Sequence, residues 1–193
     1  LLSDLEFIRS DETVATVLDT IQLAIPNSPG DTTFKTRPDN YAVVNVDNIQ
    51  AQTIANYRES GNFVGLRFNI GIIEPDNQAV PTSLADSHPL QTDSLYLGAG
   101  LGYVFNQITY AQDTVAGVLN NTIAISGEPL LQTIELDTLV TLRESFDVNV
   151  ILQVDYAVWF DNVDLASDTP EAIAEEISKN LPNSFSIFDI KQE

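Results

Sequence analysis

His88 is the one histidine of the chain, and it stands in "ADSHPL" behind Asp86 and Ser87. A Ser-His-Asp triad needs side chains that converge from separate parts of a fold. Three consecutive residues diverge instead, and no G-x-S-x-G elbow exists to present a serine. Pro89 forces His88 into extended or turn backbone. Two readings remain: a loop histidine, or a metal ligand with Asp86 as the nearest carboxylate. The chain has no cysteine and no methionine, so sulfur ligands are absent. Copper(I) favours sulfur and imidazole, which leaves at most a weak site at His88 and Asp86.

A second candidate is "SLYLGAGLGYVF", Ser94 to Phe105, with glycines at 98, 100 and 102. A dinucleotide cradle needs G-x-G-x-x-G between a strand and a helix. Here the spacing is G-x-G-x-G and a strand pattern follows. No Lys-Ser/Thr pair completes a P-loop. The acidic stretch "DNVDLASD" places Asp161, Asp164 and Asp168 near one another. It offers oxygen ligands for calcium without the spacing or central glycine of an EF-hand loop. Trp159, the one tryptophan, reads as core packing at a strand end. With 28 acidic residues some carboxylate pair will always be found, so a glycosidase pair carries no weight at this level.

These residues must be placed by a fold, and composition bounds it. The chain has 193 residues, 44% hydrophobic and 19% charged, which suits one globular domain over 1–193. A net charge of −20, from 28 acidic and 8 basic residues, argues against a nucleic-acid partner. No apolar run approaches the roughly 20 residues that span a bilayer. The abrupt opening "LLSDLEFI" already reads as a strand, and predicts a chain lacking an N-terminal strand or signal region.

Turns and strands dominate. "LLSDLEFIR", "TVATVLDTIQLAI" and "YAVVNV" read as strands, and "PNSPGDTT" as a break. "NIQAQTIANYRESGN" reads as a short helix or a loop. "FVGLRFNIGI" gives a nearly regular period of two from Leu66 onward. The proline-punctuated segment Glu74 to Asp93 reads as a loop. In "SDTPEAIAEEISKNLPNSF" the residues Ile173, Ile177 and Leu181 form one helical stripe. Asp168 is the expected N-cap, Pro170 suits the first turn and Pro182 stops the helix. Many short strands and one late helix predict an all-β fold, an antiparallel β-sandwich with one short C-terminal helix.

Five pieces in order resemble the MbnP-like family: "LLSDLEFIRSDE", "YRESGNFVGLRFNIGI", "HPLQTDSLYLGAGLGYVF", "VNVILQVDYAVWF" and "IAEEISKNLPNSFSI". The resemblance runs from Leu1 to about Ile187. It implies an extracytoplasmic β-sandwich, periplasmic, outer-membrane-associated or secreted. It also implies copper binding in some members, and in some a di-haem peroxidase-like partner that oxidises a tryptophan to kynurenine. Family members carry W-x-W ahead of a Gly-Tyr pair. Counting back from Gly102 and Tyr103, those positions hold Leu97 and Ala99. The family's "H-L-G" histidine falls at Ile125, and Trp159 matches its closing-strand tryptophan. The scaffold with these ligands missing predicts a non-enzymatic exported binding or interaction module with a degenerate metal site. It would serve at a cell surface or in an envelope assembly with a protein partner. The alternative is a metal-binding protein, with copper at His88 or calcium in the acidic loops. Loss of the family's leading strand further predicts an open edge on the first strand, available to a partner chain.

Overall fold

β4 (Gly61–Ile70), the strand that alternation marks most clearly, is the centre of a three-stranded antiparallel sheet ordered β1–β4–β7. Its neighbours are β1 (Leu2–Ile8) and β7 (Gln132–Leu142). The computed structural model describes residues 1–28, 30–47, 51–57, 59–111 and 121–193. Phe63 is out of phase with Leu66, Phe68 and Ile70, yet all four are buried. A register shift between Phe63 and Gly65 in the pairing with β7 corrects the phase. The opposite face of the sheet is polar. Arg67 donates to Glu6 (2.7 Å), Asn69 to Asp4 (3.0 Å) and Thr133 to Asn69 (2.7 Å).

Among the described residues, three two-stranded antiparallel pairs accompany this sheet. They are β2 (Thr20–Ser28) with β3 (Asp31–Pro38), β5 (Val104–Tyr110) with β6 (Asn121–Ser126), and β8 (Val148–Val154) with β9 (Phe185–Gln192). The result is the expected antiparallel β-sandwich. β3 was not legible in the break "PNSPGDTT": that stretch is the β2–β3 hairpin itself, turning at Gly30 with φ 86°. The β-branched run from Thr13 is a strand only from Thr20. Between Asn48 and Asn62 a helix was one reading; residues 51–57 are non-helical, and Tyr57 bridges to Val17. Residues 29, 48–50, 58 and 112–120 of the segments read above lie outside the described residues.

A single helical turn, α1 (Tyr156–Trp159), follows β8, and α2 (Pro170–Asn180) is the one extended helix among the described residues. Ile173, Ile177 and Leu181 are buried, as the stripe requires, and each side chain removed from water contributes about 1.5–3 kcal/mol. The N-cap is Thr169 rather than Asp168: Thr169 accepts from the Ala172 N–H (3.3 Å). The Asp168 carboxylate is already taken by the Asp164 N–H (2.8 Å). After Asn180 the chain tightens into a 3-10 turn, Leu181–Asn183, at Pro182.

Two apolar clusters result. The larger joins Phe68, Ile70, Phe105, Ile125, Ile134 and Ile177, with Phe185 edge-on to Phe68 at 5.4 Å. The smaller joins Leu23, Ile25, Tyr41, Ile72, Leu90 and Tyr103. The outer edge of β1 is not open. Leu2 exchanges both backbone hydrogen bonds with Ala42 (2.8 and 3.0 Å), and Ala15 donates to Phe7 (2.9 Å). Tyr57 and Asn40 cap the Leu5 carbonyl (2.7 and 3.3 Å). The chain's own segments thus fill the edge, and the expectation of a free first strand is corrected. Among the described residues no helix is long and apolar enough to cross a membrane.

Candidate functional site

The segment from Glu74 to Leu95 is loop-like but not irregular. Four 3-10 turns punctuate it: Asp76–Gln78, Pro81–Ser83, Pro89–Gln91 and Asp93–Leu95. Pro81 and Pro89 open theirs, where a missing N–H costs nothing. The first turn carries two polar side chains, Asn77 and Gln78, that grip the glycine loop. Asn77 is fully buried. It donates to Glu74 Oε1 (2.9 Å) and accepts from the Tyr103 N–H (2.9 Å). Gln78 donates to the same Glu74 oxygen (3.0 Å) and accepts from the Gly100 N–H (2.8 Å). The neighbouring Asp76 is also buried, and it receives a forked pair of hydrogen bonds from Arg37.

Opposite them, "LGAGLGY" makes a closed turn. Leu97 N–H donates to the Gly102 carbonyl (2.8 Å), and Gly102 N–H to the Gly98 carbonyl (3.0 Å). Gly102 has φ 71°, and a Cβ there would lie 2.3 Å from Asn77 Nδ2. Glycine is therefore required by close approach as well as by backbone conformation. The motif is a latch seated on Asn77, not a phosphate cradle. Leu97 and Leu101 point outward, 44% and 62% exposed. Ala99 is exposed too.

Tyr103 runs inward from the latch. Its ring is buried 5.0 Å from Tyr96, and its hydroxyl donates to the Leu90 carbonyl (3.0 Å). Burial, and secondarily the nearby Tyr96, pushes the Tyr103 phenol well above its usual range. The N–H of the same Leu90 donates to His88 Nδ1 (3.1 Å). His88 Nε2 therefore carries the proton and donates to Asp39 Oδ1 at 3.1 Å. Tyr41 lies edge-on to the imidazole at 5.8 Å. One hydrogen-bonded line thus runs Asp39–His88–Leu90–Tyr103–Asn77–Glu74.

The structure brings His88 and Tyr103 together through Leu90, and places the other named residues elsewhere. The carboxylate beside His88 is Asp39; Asp86 is exposed and does not reach it. Ile125 is fully buried in the larger cluster, apart from the smaller one around the latch. Trp159 closes α1 rather than a strand, and its indole N–H donates to Ser184 Oγ (2.8 Å). In the acidic loop, Asp164 accepts from the N–H groups of Ala166 (2.9 Å) and Ser167 (3.3 Å). Hydrogen bonds to Ser167 and Ala166 hold its carboxyl below the ordinary range.

These residues do not fit a copper ion. Both imidazole nitrogens are committed inside the fold, and there is no sulfur. Among the described residues no group of three or more His, Asp or Glu side chains is arranged to hold a metal. Asn77, Glu74, Gln78 and Asp39 are the residues the sequence left unmarked. Asn77 acts 26 positions away and Asp39 acts 49 away, so no local pattern announces either.

No curated protein and no solved structure matches the chain. The MbnP family model matches residues 1–177, almost all of the sandwich and most of α2. The chain therefore belongs to the MbnP family.

Proposed function

We propose that the protein is a non-enzymatic, exported binding module on the MbnP scaffold. It would dock a protein partner at a cell surface or within an envelope assembly rather than carry metal. The observation behind this reading is the state of His88. Its Nδ1 lone pair is spent on Leu90 N–H and its Nε2–H on Asp39, so ligating copper through Nδ1 strips Leu90 N–H of its acceptor, and ligating it through Nε2 breaks both internal hydrogen bonds. Each such bond is worth about 1 kcal/mol, and a buried N–H left without a partner costs more. Leu97 and Ala99 offer no indole for oxidation by a haem partner, and their exposure instead presents a small apolar tip on a braced turn. In this reading the metal-carrying role has been exchanged for recognition.

Dialysis against a copper salt followed by metal analysis tests it. The expected outcome is far less than one copper per chain after a chelator wash. Stoichiometric, chelator-resistant copper overturns the proposal. A melting temperature unmoved by millimolar calcium or by EDTA is expected as well, since a bound ion raises stability in proportion to the logarithm of its concentration over Kd.

A further inference from the structure

β3 is an edge strand with little over it. Asp31, Thr32, Thr33 and Phe34 are exposed, Phe34 by 66%. Which of its backbone groups are free follows from its pairing with β2. In an antiparallel ladder, hydrogen-bonded and non-hydrogen-bonded pairs alternate. The Ala24 carbonyl accepts from Val80 N–H (2.9 Å), so it points away from β3. Ala24 and its partner Phe34 are therefore a non-hydrogen-bonded pair. The same parity holds for Pro26 with Thr32, Gln22 with Thr36 and Thr20 with Pro38. The prolines agree, since neither has an N–H to give to the ladder. Asp39 N–H donating to the Asp19 carbonyl (2.9 Å) continues the alternation. The N–H and C=O groups of Thr32, Phe34 and Thr36 thus face outward. Among the described residues no backbone group of another element meets them.

We infer that this edge pairs with the β3 edge of a second copy, antiparallel about a two-fold axis at Phe34. The strand reads D-T-T-F-K-T-R from Asp31 to Arg37. About that axis Phe34 meets the partner's Phe34, and Thr32 meets the partner's Thr36. Thr33 meets the partner's Lys35, and Asp31 meets the partner's Arg37 twice over. Opposite charges and facing aromatic rings are the favourable cross-strand pairs. Arg37 uses Nε and Nη2 on Asp76, which leaves Nη1 for the incoming carboxylate. Two neighbouring registers are selected against: an axis at Lys35 opposes two ammonium groups, and one at Thr36 opposes Lys35 to Arg37. The outcome is one four-stranded sheet, β2–β3 continued into its two-fold copy, with an isologous interface. It stands independently of the reading of the latch.

Long-range charge works against it, because each copy carries −20. Screening shortens that repulsion from about 30 Å at 0.01 M salt to about 3 Å at 1 M, while strand pairing is short-ranged. Dimerisation therefore tightens as salt rises. The test is sedimentation velocity on the intact chain over a concentration series, in low salt and in about 0.5 M NaCl. The expected result is a dimer fraction that grows with both protein and salt. It should be lost in Thr36→Pro, which removes an outward N–H and spares the β2 ladder, and in Phe34→Lys. Hydrogen exchange on the unmodified chain should slow at Thr32, Phe34 and Thr36 only where the dimer forms. A monomer at every salt and concentration overturns the inference. So does a dimer that survives both substitutions, or one that leaves those three amides unprotected.

Discussion

The two apolar clusters are held together by different physics. The larger is closed by side-chain packing across β4, β7, the β5–β6 hairpin and α2, with its backbone polar groups paired in ladders and helix. The smaller has fewer apolar residues and is crossed by buried polar groups. Asn77, Asp76, His88 and the Tyr103 hydroxyl each hold a specific backbone or charged partner. Where apolar volume is scarce, a site keeps its shape by satisfying hydrogen bonds that leave few alternative arrangements. The large cluster tolerates approximate volume; the small one requires particular atoms.

The contrast can be broken from the large side first. Phe68 on β4 is fully buried, and Phe68→Ala should cost about 3–5 kcal/mol by chemical denaturation. Retention of most of the stability would mean the larger cluster collapses freely and does not carry the fold. On the small side, Gly102→Ala drives a Cβ into Asn77 and displaces the latch. Losing the Asn77 hydrogen bond to Tyr103 N–H leaves a buried donor unmet, for about 1–3 kcal/mol. Its signature should be local, with the Gly100 and Tyr103 amides exchanging faster while those of β4 stay protected. Loss of protection throughout would show that the two clusters unfold as one.

The smallest effect is in alkaline solution. Of the six tyrosines, Tyr41 and Tyr103 lie in or against the smaller cluster and Tyr57 against the larger. Burial raises all three phenols in the folded state, with neighbouring acids adding to Tyr41 and Tyr57, and Tyr96 to Tyr103. A raised folded pKa means stability is complete below the unfolded value near 10 and declines as pH rises above it. Absorbance at about 295 nm should show these three ionising late and together with unfolding. Ionisation of all six in one step near pH 10 would contradict their burial.

Much of the framework was readable in residue pattern. The stripe Ile173–Ile177–Leu181 and the alternation of β4 each have a period that one face of one element imposes. β3 escaped because Pro26 and Pro38 look like strand breakers; they are tolerated since their nitrogens face away from the ladder. The cap fell on Thr169 because Asp168 was recruited by Asp164, a competition between adjacent candidates that spacing cannot rank. In the candidate site, the Gly-Tyr pair was visible and its seat was not. Asn77 and Asp39 reach their partners across 26 and 49 positions, and a single side chain making a distant bond leaves no periodicity behind.

The single indole has a consequence of its own. Trp159 is partly buried beside Tyr156 and tied to Ser184, at the corner where α1 meets the end of α2 and the start of β9. Excited selectively, its emission colour reports solvent entry at that corner alone. A loosened latch is silent in this channel, whereas detachment of the β8–β9 pair shifts the spectrum to the red. The molecule thus carries a built-in optical marker that tells events at this corner from events at the latch without any added label.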